Sequence, residues 1–155
     1  MAVTIRKAEP RDAAVVTDFN RRLAWESEHK RLDPEVLTRG VARILADPAR
    51  GFYLVAESGG QVIGQVMATF EWSDWRDGWF WWVQSVYVLE AHRRNGVFRA
   101  LYGELVKRAR DAGDVIGLRL YVEKDNARAQ ATYEHFGLKE AGYLVRECPL
   151  ERDDP

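Results

Sequence analysis

The chain is almost without cysteine. Cys148 stands alone, so neither an internal disulfide nor a cysteine-based zinc site can form. Histidine is scarce as well: His29, His92 and His135 are scattered, lack metal-ligand partners at useful spacing and read as surface residues, so no metal is expected. No run of about eighteen apolar residues exists to cross a bilayer. The polar start after Met1 lacks the apolar stretch of a signal peptide. A basic excess is missing too, with 23 Lys plus Arg against 24 Asp plus Glu. Neither nucleic acid nor a membrane is therefore an expected partner, and any electrostatic ligand site must be local. The glycine patterns of the phosphate-binding loop and of the dinucleotide fold are absent. These absences predict a soluble, cytoplasmic protein. A length of 155 residues suits a single domain over residues 1–155, and 46% hydrophobic content allows a sizeable core.

What is present alternates between strand and helix patterns. "VTIRKA" reads as a first strand. After Pro10, "RDAAVVTDFNRRLAWESEH" places Val15, Val16, Phe19 and Leu23 at helical spacing. Asp33 and Pro34 open a second helix that runs toward Ala46 before Pro48 stops it. "GFYLVAES", "QVIGQVMATFEW" and "WFWWVQSVYV" are strands, separated by the turn signals "GG" and "SDWRDGW". Strict alternation in the third puts Trp79, Trp81, Val83 and Tyr87 on one face and Phe80, Trp82, Val86 and Val88 on the other. Both faces are apolar, as expected of a central strand covered on each side. A helix after residue 96, a strand "IGLRLYVE", a helix "NARAQATYEHF" stopped by Gly137 and a last strand "GYLVREC" complete the order. The expected class is α/β (α+β): one mixed sheet with helices on both faces.

The stretch "HRRNGVFRALYGELVKRAR" concentrates donors at a helix start. A helix N-terminus presents unpaired N–H groups and a positive dipole end, a ready place for phosphate. Gly96 can reach positive φ and lets a ligand approach the backbone. Arg93 and Arg94 can add charge-assisted hydrogen bonds of about 1.5–3 kcal/mol each. The dipole supplies only about 0.3–1 kcal/mol. The same residues also suit a solvated turn.

This stretch resembles motif A of the GNAT family of N-acetyltransferases, Q/R-x-x-G-x-G/A after a strand ending in a V-x-V-like pattern. Arg93, Arg94, Asn95, Gly96, Val97 and Phe98 occupy those places after "SVYVLEAH". Phe98 departs from the usual glycine or alanine, which is tolerable if its side chain points into the core. The family's next segment is similar to "LYVEKDNARAQATYEHFGLKEAGY", where Asn126, Ala129, Tyr133, Phe136, Gly137 and Leu138 fall into register. The resemblance covers nearly the whole chain. It implies the GNAT fold: a mostly antiparallel mixed sheet of six to seven strands, splayed between the fourth and fifth, with about four helices on both faces.

The resemblance further implies an N-acetyltransferase in which acetyl-CoA (coenzyme A) lies in that splay. Its diphosphate would rest on the amides from Arg93 to Arg99, and its pantetheine on the backbone around Val86, Tyr87 and Val88. Asn126 and Ala129 would complete the cofactor site. The Val88 amide could polarise the thioester carbonyl. Thiols titrate near 8.5 and tyrosine near 10, so Tyr133 is the candidate general acid for the leaving thiolate; a core aromatic is the other reading of that residue.

The acceptor is expected to be an amine of a small molecule or protein, attacking directly in a ternary complex. The base is open. Trp82 and Gln84 stand where a strand glutamate is common, Glu26 or Glu28 could flank the acceptor, water could serve, and both glutamates also read as surface residues. The tryptophan-rich "EWSDWRDGWFWW" favours cross-strand aromatic pairs. Alternatively it forms a pocket in which Glu71 meets the far end of a cationic acceptor. A homodimer could pair through the hairpin or the last strand. The competing function is a non-catalytic acyl-CoA-binding sensor or interaction module, kept open by the missing strand carboxylate.

Overall fold

A computed structural model describes residues 2–152. They form two compact units, one ending at Tyr121 and the other beginning at Val122. The first contains β1 (Thr4–Lys7), α1 (Ala13–Glu28), α2 (Pro34–Ala46), β2 (Phe52–Ser58), β3 (Gln61–Ser73), β4 (Gly78–Val88), α3 (Val97–Ala112) and β5 (Val115–Leu120). The second contains α4 (Ala127–His135).

Local chemistry sets these boundaries. Asp33 caps α2 by accepting from the amides of Glu35 and Val36 at 2.9 and 3.1 Å, with Pro34 at the first helical position, where its missing N–H costs nothing. Gly59 and Gly60 both have positive φ, as the two-residue turn joining β2 to β3 requires. The left-handed Gly113 ends α3.

The strands form one sheet in the order β1-β2-β3-β4-β5. The first four are antiparallel, and β5 runs parallel to β4. Five strands, not six or seven, are present among the described residues. The segment 142–148 is not a strand, and Tyr143, Leu144 and Val145 are exposed. A strand exists only where a neighbour satisfies its N–H and C=O groups, and among the described residues the unit beginning at Val122 contains no strand.

One face of the sheet is covered by α3. Val97, Leu101 and Leu105, spaced by four, pack on Leu54, Ala56, Ile63, Val66, Ala68 and Val83. The other face carries α1 and α2, whose Val16 and Val41 meet Tyr53 and Val55. Alternation along β4 breaks near its end. Gln65 pairs with Tyr87 but Met67 pairs with Gln84, so Ser85 and Val86 together oppose Val66. This β-bulge shifts the parity by one residue. Val86 and Val88 consequently join Trp81 and Val83 on the α3 face. Tyr87 turns to the other face, where its ring meets Phe19 of α1 at 5.1 Å. Strict alternation places these three residues on the wrong faces.

Arg6 of β1 ties the turn before α1 to the sheet, bonding both oxygens of the buried Asp12 at 2.8 and 2.9 Å and Glu57 at 2.9 Å. The Arg6 guanidinium holds the Asp12 carboxyl below the usual carboxylate range against the opposing effect of burial. A depressed folded-state pKa contributes stability above the unfolded value near 3.9 and loses it as pH falls further. Asp12→Asn is expected to destabilise the protein by about 1.5–3 kcal/mol at pH 7. In urea titrations across pH, its deficit against the parent should shrink below about pH 4.

Candidate functional site

The end of β4 is built differently from its start. β5 pairs with β4 only from Trp79 to Val83, whose partner is Leu120. Beyond that point, the edge of β4 away from β3 has no strand beside it in this unit. The Leu89 amide donates to the Ile63 carbonyl at 2.9 Å, so antiparallel alternation turns the Val88 N–H and C=O away from β3 toward that edge. Val86 lies in the bulge. Ser85 has φ 50°, a left-handed conformation that a serine adopts only at a cost.

The turn into α3 follows directly. Arg94 has φ 64° and Gly96 has φ 77° and ψ 10°. Arg94, Asn95 and Gly96 are exposed. Gly96 is the N-cap residue and has no side chain with which to cap the first turn, whose amides have no intrahelical acceptors. A Cβ at Gly96 would meet nothing within 4 Å, so the space beside it is open. Val97 anchors the helix start in the core at 4% exposure. Phe98 is half-buried, and its ring lies along the helix against Tyr102, ring centroids 5.8 Å apart. Arg99 is exposed on the same turn.

The Arg93 side chain is committed elsewhere. Its Nε donates to the Val88 carbonyl at 2.8 Å, its Nη2 to Glu26 Oε2 at 2.6 Å, and its guanidinium lies 5.4 Å from the Tyr87 ring centre. Tyr87 donates its hydroxyl to Glu26 Oε1 at 3.0 Å. Burial, and then the Glu26 carboxylate, push that phenol above its usual range. Both oxygens of Glu26 are therefore occupied, and the residue links the end of α1 to the end of β4. Glu28 is not part of this cluster; it faces Lys30 at 3.5 Å.

The start of β4 carries the aromatic hairpin. Trp72 pairs with Trp79 and Phe70 with Trp81, with centroids 5.0 and 5.6 Å apart. On the opposite face, Glu71 Oε1 accepts from Trp82 Nε1 at 3.1 Å and from Arg119 Nη1 at 3.0 Å. Gly117 lies under Phe80, where a Cβ would come within 2.9 Å of the ring, and Arg119 stands 3.6 Å above that ring's centre. Trp82 stacks on Tyr121, and Gln84 donates to Thr69 Oγ1 at 2.6 Å. Glu71 thus already has a cation and an N–H.

In the second unit, Asn126 caps α4 by accepting from the Ala129 amide at 3.0 Å. Tyr133 is half-buried on that helix, and desolvation raises its hydroxyl above the usual range.

Sequence reasoning missed a buried polar cluster beneath the bulge, formed by Asn20, Tyr53, Gln65 and Ser85. A signal existed. Asn20 follows Val16 by four on the apolar stripe of α1, and Gln65 interrupts an apolar run in β3.

Known proteins share this arrangement. The sequence model of the Acetyltransferase (GNAT) family matches residues 16–138. A possible acetyltransferase from Clostridium difficile 630 has 41% identity and a TM-score of 0.92, over 98% of this chain and all of that one. A predicted acetyltransferase with acetyl-CoA from Clostridium acetobutylicum aligns with a TM-score of 0.79 and 20% identity, over 95% and 96% of the two chains. A ribosomal-protein-alanine N-acetyltransferase from Brucella melitensis biovar Abortus 2308 gives 0.75 and 20%, over 96% and 100%. The last two establish likeness of fold alone. No curated protein matches the chain.

Gly96→Ala tests whether the turn needs its left-handed backbone. The methyl has room, so the expected loss of about 1–2 kcal/mol is conformational. Chemical denaturation should detect it.

Proposed function

The chain belongs to the GNAT family of acetyltransferases, and from that premise we propose that it is an acetyl-CoA-dependent N-acetyltransferase acting on a primary amine. The observation that carries this reading is the conjunction, within a few residues, of an open β4 edge and an uncapped, glycine-led helix start. The residues fit a diphosphate: the turn is exposed, Gly96 leaves it room, and the helix dipole favours an anion there. The relative from Clostridium acetobutylicum was solved with acetyl-CoA, and the Brucella relative is named for an amine acceptor, an alanine.

Acetyl-CoA, when bound, supplies the activated acyl thioester. The amides from Arg93 to Arg99 hold the diphosphate; backbone groups of Val86, Tyr87 and Val88 receive the pantetheine, and Asn126 and Ala129 belong to the same cofactor set. The Val88 N–H stabilises charge that develops on the carbonyl oxygen, a preorganised donor that needs no reorientation. Arg93 acts on this edge from its own side, fixing the Val88 carbonyl while Glu26 fixes Arg93. Both Glu26 oxygens already accept hydrogen bonds, which favours an anchoring role over that of base. Solvent then takes the amine proton, and attack is direct, in a ternary complex. Tyr133 returns a proton to the leaving thiolate. Burial raises its hydroxyl, so it stays protonated at neutral pH until a thiolate develops.

Saturating acetyl-CoA is expected to raise the melting temperature, by about 2.7 kcal/mol of linkage at a hundredfold excess over Kd. Release of free CoA thiol should require an added amine. CoA binding without turnover across primary amines and protein N-termini would instead identify a non-catalytic acyl-CoA-binding module. Tyr133→Phe should lower kcat by about 10²–10⁴-fold with CoA affinity preserved; unchanged turnover removes it as the acid.

A further inference from the structure

The polar cluster beneath the bulge plays no direct part in that chemistry, yet it touches the strand on which the reading rests. Gln65 Nε2 donates to the Ser85 carbonyl at 3.0 Å and to Asn20 Oδ1 at 2.9 Å. Asn20 Nδ2 in turn donates to the Tyr53 hydroxyl at 2.9 Å. Gln65 is fully buried, and among the described residues its Oε1 has no partner. Burying an amide with an unmade bond is unfavourable. Val55, its partner on β2, and Met67, two residues along β3, fill the same face with apolar groups, so packing gives no reason for a carboxamide here.

Its geometry does give one. Ser85 sits at φ 50° in the middle of a strand, a conformation that persists only where surroundings enforce it. The group that holds its carbonyl is the Gln65 amide. The bulge so enforced sets the register of everything after it, including the direction of the Val88 N–H. Without it, the parity of β4 reverts and that N–H turns toward β3.

We propose that Gln65 is a positioning residue for acyl transfer: braced by Asn20 and Tyr53, its carboxamide fixes the β4 bulge and thereby aims the Val88 amide at the open edge. This rests on the acetyltransferase reading, and the test keeps the two apart. Gln65→Met preserves volume and removes the donor. In the ligand-free protein, hydrogen exchange at residues 84–88 is expected to accelerate about tenfold or more as the bulge loosens. In turnover, kcat should fall about tenfold to a hundredfold, because a misdirected donor forfeits part of what a deleted one would. The Kd for CoA, gripped at the α3 turn, should change less than about threefold.

The double variant Asn20→Leu/Gln65→Met removes both polar partners and is expected to recover thermal stability while kcat stays low; it also serves if the single variant does not fold. Wild-type exchange at 84–88 with wild-type kcat in Gln65→Met overturns the proposal. So does a double variant whose kcat returns with its stability. If the parent protein itself turns over no amine, the acetyltransferase reading fails instead, and the exchange measurement still decides whether Gln65 holds the bulge.

Discussion

Two residues of β4, Ser85 and Val86, stand opposite one residue of β3. That mismatch decides which main-chain groups at the end of β4 face the edge that β5 leaves unpaired. Before it, β4 is paired on both sides and its side chains alternate as in any interior strand. After it, Val86 and Val88 face α3, Tyr87 faces α1, and the main chain turns its N–H and C=O to a side that β5 does not reach. A donor on such an edge is held by the ladder on its other flank, so it is rigid while no strand of its own unit pairs with it. That combination suits stabilisation of charge that appears only during a reaction.

The turn before α3 divides its labour between main chain and side chain. An arginine at a helix start suggests direct contact with phosphate, yet Arg93 reaches back to Val88 and Glu26 instead. The ion pair with Glu26 is partly exposed, 42% on each side, so its net worth is small, about 0–1 kcal/mol. Its value is geometric: it joins the end of α1, the end of β4 and the entrance of α3. In the proposed reading, the diphosphate there is held by backbone N–H groups, which are insensitive to most substitutions around them.

Much of this frame was legible from the sequence wherever a local rule governs. Asp33, Pro34 and Pro48 bracket α2; the paired glycines at 59 and 60 mark a hairpin; Gly96 and Asn126 mark helix starts. Illegible features were those decided by distant partners. Ser85 has no conformational signature of its own, and only Gln65, twenty residues earlier, and Asn20 beyond it explain its backbone. The faces of Tyr87, Val86 and Val88 were misjudged for that reason. "GYLVREC" has good strand chemistry, but chemistry does not provide a neighbour. The Glu26–Arg93 pair spans 67 positions, beyond the reach of any pattern read along the chain.

Gly117 leaves a bare stretch of β5 on which Phe80 lies flat, and Arg119 rests on that ring while reaching Glu71 two strands away. The height of this whole platform is thus governed by a position that contributes no side chain to it. A methyl there would come within 2.9 Å of the Phe80 ring, so the ring beneath the guanidinium would have to give way. The smallest residue in the strand acts as the levelling point for the largest ones around it.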